Sequence, residues 1–354
     1  MRTMFAVPAL TLGLLFGSAL AQADATGSKA LDAEHVVITE PVKGSDIPVR
    51  LMYVETMDGL YAPIGLRKPP GDGPFPIVLF ASGNGGGGMA YIEDVTQNQS
   101  WTQEQFLKAG YAVAWLRYRT EIELGYNKGG PLIKTGRMHR EVFNRGLLEY
   151  EDVISIIDYV KSLPYIDGGR VGYMGSSHGG EMAFKIATEY NGLRAAIASE
   201  PANHEYLALK PDETAPMDAD TGIRNIEHMM MRETDKVRSR IDLPLARQRI
   251  GSIQTPIFVI GRDSDELQGI FKVSYDLLRE SGKTTQWKTY DHSVHGFVYV
   301  KRGADGEYRP DSIQAQAVND AIAWFDRFMK GNDAPQPPVG GVEGVDYSDR
   351  FYND

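Results

Sequence analysis

The stretch Val171-Gly-Tyr-Met-Gly-Ser-Ser-His-Gly-Gly180 restricts what this chain can fold into more than any other. A β-type run over 170–174 meets a Gly-Ser-Ser-His-Gly turn, and 181–190 carries helical spacing, so the order is strand, sharp turn, helix. Gly175 and Gly179 flank Ser177 in the spacing G-x-S-x-G. A serine held in a strained turn between two packed elements needs neighbours without Cβ atoms, and its hydroxyl then stands clear of the sheet. The helix that follows, beginning at His178, aims free N–H groups and its positive dipole end at that hydroxyl, where a developing oxyanion would be stabilised. An ordinary glycine-rich turn has the same spacing, so the other parts of such a site must be sought elsewhere in the chain.

Ahead of the elbow, β-type runs at 35–39, 49–54 and 60–66 alternate with turn residues and predict an antiparallel entry to a sheet. Pro76 to Ala81 is a continuous apolar run of the kind buried on both faces of a parallel sheet. It empties into Ser82-Gly-Asn-Gly-Gly-Gly-Gly88, where backbone can approach a ligand. Gly83, Gly85 and Gly88 also satisfy G-x-G-x-x-G, but a dinucleotide site needs a helix starting at once and an acid closing the next strand. The next helical pattern begins near Thr102, and the strand over 111–116 ends in Arg117 and Arg119. An oxyanion loop, with Asn84 or Gly85 supplying a backbone N–H, fits better. Residues 120–145 read as a surface loop in which His139 is solvated, and Leu147 to Leu163 as a helix stopped by Pro164.

After a further strand at 194–199, residues 200–252 hold no β-type run but much helical potential, as in 223–237 with Met229, Met230 and Met231. This predicts a helical cap inserted between strands. His204 and His228 belong to no metal-binding spacing there. Strands at 256–260 and 286–290, separated by a helix over 273–280, each precede polar residues: the acidic turn Gly261-Arg-Asp-Ser-Asp-Glu-Leu267 and the segment Asp291-His-Ser-Val-His-Gly-Phe297. An amphipathic helix over 313–329 then presents Val318, Ala321, Ile322, Phe325 and Phe328 on one face.

A serine hydroxyl is a poor nucleophile near neutral pH, so it needs a base, and the base needs a carboxylate to fix its tautomer. An acid after one strand and a histidine after the next give the chain order Ser, Asp, His. Asp263 and Asp265 share the acidic turn, and His292 and His295 share the last segment.

From Leu60 to Met329 the chain resembles the α/β-hydrolase superfamily, especially its dienelactone-hydrolase-like and prolyl-oligopeptidase-like branches. The segment that carries the resemblance runs through Glu151-Asp-Val153, Leu163-Pro-Tyr-Ile-Asp167, Arg170-Val-Gly172 and the elbow. His295-Gly-Phe297 is similar to the catalytic histidine motif, which implies His295 rather than His292 as base and leaves His178 to act through its backbone N–H. The family's acid turn ends in Val-Pro, absent here; Asp265-Glu-Leu matches it better than Asp263-Ser-Asp, so the resemblance implies the triad Ser177, Asp265, His295. It also implies a mostly parallel α/β sheet flanked by helices, an α/β-hydrolase domain over 30–331 with the cap at 200–252, and a tail over 332–354.

Met4 to Leu20 is an apolar run after Arg2, with small-x-small sites at Ala19-Leu-Ala21 and Ala21-Gln-Ala23 and interruptions at Pro8, Gly13 and Gly17. It reads as a signal peptide over 1–23 that is removed on export, leaving no stable membrane insertion. A formal net charge of -10 argues against nucleic acid as a partner, and the absence of cysteine removes thiol nucleophiles and thiolate metal sites. No cofactor and no metal are implied. Peptidases of the prolyl-oligopeptidase type usually carry a propeller, which the stretch between the leader and Pro76 is too short to build. The expectation is therefore an exported carboxylic-ester hydrolase acting on a small acyl substrate. A small serine peptidase is the alternative, and a non-catalytic binding protein of the same fold would predict a broken triad.

Overall fold

The computed structural model describes residues 36–57, 59–83, 87–117, 146–210 and 231–331. Among these residues the strands β1 (Val36–Glu40), β2 (Val49–Glu55), β3 (Tyr61–Arg67), β4 (Phe75–Ala81), β5 (Ala112–Leu116), β6 (Ile166–Ser176), β7 (Ala195–Ser199), β8 (Ile257–Arg262) and β9 (Thr285–Tyr290) form one sheet in the order β1-β2-β3-β5-β4-β6-β7-β8-β9. The first three pair antiparallel, and β3 pairs antiparallel with β5. From β5 through β4, β6, β7 and β8 to β9 every pairing is parallel. This is the mostly parallel α/β sheet with an antiparallel entry that the sequence predicts.

Period-two alternation within continuous apolar strands feeds two cores. On β4, Ile77, Leu79 and Ala81 join the core beneath α3 (Gly146–Ser162), α4 (His178–Glu189), α6 (Leu243–Ser252) and α7 (Gln268–Glu280). Val78 and Phe80 join the opposite core, beneath α1 (Gly88–Asn98), α2 (Ser100–Lys108) and α8 (Ser312–Met329). A one-residue slip of β4 would exchange these sets, so the register is tightly specified.

The helix α8 begins in a capping box, with the Asp311 carboxylate accepting from the Gln314 N–H and the Gln314 side chain accepting from the Asp311 N–H. It buries Val318, Ala321, Phe325 and Phe328 as its spacing predicts and Trp324 beside them, while Ile322 stays partly exposed. Phe325 sits edge-on to Phe106, with ring centroids 5.9 Å apart, and lies over Gly172, where a Cβ would come within 2.6 Å of the ring. The glycine in β6 thus lets an aromatic ring reach the strand backbone.

Three local expectations are corrected. A helix, α1, does begin at once after the glycine loop, at Gly88; only Ile92 and Val95 of its large apolar side chains are fully buried, with Met89 and Tyr91 half-buried beside them, a face too narrow to register as a period. In the stretch over 223–237, the described residues 231–233 are not helical, and the helix α5 is confined to Thr234–Arg238. Met231 is instead tied to the turn before α7, its N–H donating to Glu266 and its carbonyl accepting from Gly269, and that tertiary pairing outcompetes local propensity. The helix α7 starts five residues before its expected beginning at Val273, because Gln268 to Lys272 already carries Ile270 and Phe271 into the core.

Within 200–252, α5 packs on α7, and α6 packs on α4 and α7, along the flank of the sheet. Residues 211–230, with Met229, Met230 and His228, lie outside the described residues, as do the leader, the loop with His139 and the tail.

Phe325→Ala is expected to destabilise the fold by about 3–5 kcal/mol, the usual cost of emptying a buried aromatic site, read from the midpoint of urea unfolding at constant slope.

Candidate active site

The parallel strands point their C-terminal ends the same way, and ligand sites in open α/β sheets form outside those ends. Ser82 follows β4, Ser177 follows β6, Glu200 follows β7, Asp265 follows β8 and His295 follows β9. Ser177, Asp265 and His295 line one cleft of about 770 Å³ together with Ser82 and Gly83.

Ser177 has φ 58° and ψ -119°, a conformation that L-residues rarely adopt and that costs about 1–3 kcal/mol. Three backbone hydrogen bonds hold it. Its N–H donates to Ser199 at 2.9 Å, and its carbonyl accepts from Glu181 and Ala202, each at 3.1 Å. The flanking glycines are required by close approach: a Cβ on Gly175 would lie 2.0 Å from the Gly179 carbonyl oxygen, and one on Gly179 would lie 2.7 Å from that of Ser82. Gly83 comes so near that a Cβ there would be 3.3 Å from the Ser177 hydroxyl.

Arg117, which the sequence offered only as an argument against a nucleotide, fixes this loop. Its Nη1 donates to the Ser82 hydroxyl at 2.8 Å and to the Gly83 carbonyl at 3.1 Å, and the guanidinium stacks over Tyr91. A cation thus sits buried where a dinucleotide fold would carry its ribose-binding acid, so that reading still fails although the helix α1 meets its other requirement. Asn84 and Gly85 lie outside the described residues.

His295 Nδ1 lies 3.0 Å from Asp265 Oδ2. A carboxylate can only accept, so Nδ1 carries a proton and Nε2 is left for proton transfer. The side chain is 40% exposed, open on the cleft side. Burial opposes protonation of the imidazole, yet the bond to Asp265 and the negative charges of Glu200 and Asp265 outweigh it and raise the His295 pKa. Burial likewise works against the Asp265 anion, but donation from His295 and from the Leu267 N–H holds its pKa below the ordinary value. Asp263 is exposed and accepts from the Thr289 hydroxyl. His292 pairs with Asp311 at 3.0 Å and stacks on Phe297, which ties it to the start of α8.

The His178 ring points into the protein. Its Nε2 lies 2.6 Å from Glu149 and its Nδ1 lies 3.3 Å from Glu181, both buried, so only its backbone faces the elbow.

Two residues to which sequence reasoning gave no role stand at the cleft. His204 lines the cleft, with Nδ1 donating to the Ala202 carbonyl at 3.0 Å. Glu200, fully buried, places Oε1 at 3.4 Å from His295 Nδ1 and accepts the Gly296 N–H on Oε2 at 2.7 Å. Burial is the main reason its pKa is raised, with the charge of His295 opposing. The available signal was an acid placed directly after a continuous apolar strand, the same context that marked the turn after β8.

Glu200, Asp265 and His295 put three ligand-type atoms within 4.8 Å of one another. Arg262 already lies among them, with Nε 3.2 Å from Glu200 and 3.1 Å from Asp265 and Nη2 2.7 Å from Asp265. A guanidinium therefore supplies the positive charge that the two carboxylates require, and the donor set does not fit a metal ion beside it.

Residues 97–331 match the sequence profile of the prolyl oligopeptidase family. The chain is 24% identical over 290 residues to the uncharacterized peptidase YuxL of Bacillus subtilis (strain 168), covering 80% of this chain and 39% of that protein. It is 27% identical over 214 residues to acyl-coenzyme A thioesterase 1 of Mus musculus, covering 58% of this chain and 44% of that one. The chain thus spans less than half the length of these curated relatives. Among solved structures, the acylaminoacyl peptidase of Pyrococcus horikoshii aligns with TM-score 0.55 at 17% identity, covering 83% of this chain and 43% of that one. The carboxylesterase EstE1, cloned from a metagenomic library, aligns with TM-score 0.51 at 15% identity, covering 83% and 92%. These likenesses establish the α/β-hydrolase fold.

Two expected outcomes test the site. Asp265→Asn should lower kcat by more than a hundredfold, because the tautomer of His295 is no longer fixed, while Asp263→Asn stays within about tenfold of the parent, with folding checked by circular dichroism. A base must be neutral to act, and a raised imidazole pKa places the acidic limb of kcat/KM above the unperturbed value of about 6.5, activity falling as pH drops through it.

Proposed function

The chain belongs to the prolyl oligopeptidase family, and from that premise we propose that it cleaves a carboxylic ester through a Ser177-His295-Asp265 triad. The observation that carries this reading is the Asp265–His295 pair, with its free imidazole edge opening into the cleft that also holds Ser177. Ser177 Oγ attacks the acyl carbonyl while His295 Nε2 takes its proton, and Asp265 stabilises the imidazolium. The oxyanion that forms is met by the His178 N–H at the start of α4, with the second donor assigned to the glycine loop at Asn84 or Gly85. His295 returns the proton to the departing alcohol, leaving an acyl-enzyme. The same imidazole then deprotonates a water, which releases the acid and restores Ser177.

The cleft lining supports a short, polar acyl group. Gln99, His204, Arg232, Ser264, Glu266 and Lys301 line it, and its apolar contributions among the described residues are limited to Tyr91, Ala202, Leu267 and Tyr299. A long hydrocarbon chain would find little apolar surface there, and each unburied methylene forfeits about 0.8 kcal/mol. The match to the peptidase YuxL favours a second reading, a serine peptidase using the same triad on an amide.

The leader, with its apolar run and small-x-small sites, supports export of the protein. No helix among the described residues is long and apolar enough to cross a membrane.

A fluorophosphonate probe is expected to label the parent and not Ser177→Ala, and Ser177→Ala should retain only the residual rate that an oxyanion hole and binding supply. p-Nitrophenyl acetate and butyrate should be turned over faster than the decanoate, and simple esters faster than matched peptide anilides. Efficient anilide cleavage with weak ester turnover would transfer the assignment to the peptidase reading.

A further inference from the structure

One buried carboxylate beside the cleft has no part in the mechanism above. Glu200 follows β7 directly, holds a left-handed backbone at φ 49°, and is fully buried. Both features are unfavourable for a glutamate, since a left-handed backbone is strained and a buried carboxylate is costly unless it is paired. Its partners explain its retention. Oε2 accepts the Gly296 N–H at 2.7 Å, and Oε1 faces Arg262 Nε at 3.2 Å and His295 Nδ1 at 3.4 Å.

We propose that Glu200 is a positioning residue for His295. It clamps the loop that carries the imidazole through the neighbouring N–H, and it shares with Asp265 the positive charge that the imidazole acquires during reaction. This rests on the reading of Ser177 and His295 as nucleophile and base.

The charge balance carries the inference. Asp265 faces Glu200 as a like charge, with Arg262 between the two acids, but every group within bonding reach of the Glu200 oxygens, the Gly296 N–H, Arg262 and the His295 Nδ1–H, is a donor, so the ionised carboxylate is the form that the geometry fits. Two carboxylates and one guanidinium leave the cluster one negative charge in excess while His295 is neutral. Protonation of His295 brings it to neutrality. The surroundings are therefore arranged for the imidazolium of the transition state rather than for the resting imidazole, without any movement at the moment of reaction. Asp265 alone beside Arg262 would leave no such excess. Glu200 supplies it, and its bond to Gly296 keeps the ring within reach of both acids.

A purely structural role would be preserved in Glu200→Gln, which keeps the size and can still accept from Gly296 while losing the charge. The test is an NMR titration of the His295 ring in the full chain, with the resonance assigned by loss in His295→Asn. Expected is a His295 pKa lower by about one unit in E200Q than in the parent, with the acidic limb of kcat/KM moving to lower pH by the same amount and kcat falling about tenfold at little-changed KM. In R262Q/D265N, which leaves Glu200 as the one charge beside the ring even if E200Q fails to fold, the His295 pKa should still lie above about 6.5. D265N should also retain more activity than the E200Q/D265N double variant, which falls to the level of S177A. Equal His295 titration in parent and E200Q, or an ordinary His295 pKa in R262Q/D265N, overturns the proposal. A parent whose Ser177 does not react with fluorophosphonate overturns the hydrolase reading instead, and the titration distinguishes the two because it needs no substrate.

Discussion

The backbone of Ser177 is the constraint on which the site depends. A serine at φ 58° stays there only because its N–H and carbonyl are fixed from three directions, by Ser199 at the end of β7, by Glu181 in the first turn of α4, and by Ala202 in the turn after β7. The surrounding glycines are the steric counterpart of these bonds. With Gly175 against Gly179, and Gly179 against Ser82, no room remains for a Cβ, so α4 and the loop after β4 approach the elbow as bare backbone. A hydroxyl that points outward, a helix N-terminus beneath it and a glycine loop beside it follow from that single packing requirement.

The acid-base side of the cleft is organised by charge instead. Arg262 links the two acids, and its Nη1 also donates to the carbonyls of His292 and Ser293, so the guanidinium joins the end of β8 to the loop that carries His295. Two carboxylates this close together would repel each other without the cation, and the cation without the pair would hold the imidazole pKa down. Histidine, acid and arginine thus depend on one another. The glycine loop is held in the same manner by Arg117, buried between Tyr91 and Ser82, so each side of Ser177 has its own anchoring arginine.

The proposed chemistry, acyl transfer through Ser177, fits membership of the prolyl oligopeptidase family. The described cleft refines that only through its lining, where polar side chains outnumber apolar ones and residues of the segment after β9, such as Gly296, Tyr299 and Lys301, join Ala202 and His204 from the turn after β7. Most of the groups that line the cleft thus come from segments that the sheet positions, with Ser176 and Arg262 contributed by the strand ends themselves.

Where the physics was local, the sequence by itself determined the outcome. The apolar run of β4, the amphipathic face of α8 and the glycine spacing around Ser177 follow from side-chain period and Cβ sterics, which act over a few residues. So does the order in which serine, acid and histidine meet the strand ends. Where a narrow apolar face weakened the period, as over Ile92 and Val95 in α1, or where backbone groups found distant partners, as at Met231, local reading failed. Residue spacing left two acids open on one turn, with the family resemblance favouring Asp265, and the tertiary structure buries Asp265 against His295 and leaves Asp263 on the Thr289 hydroxyl. It alone brought Glu200 to the same imidazole, because parallel pairing of β7, β8 and β9 aligns strand ends that are far apart in the chain. Convergence of that kind is set by register and twist across the sheet, and no spacing within a single segment encodes it.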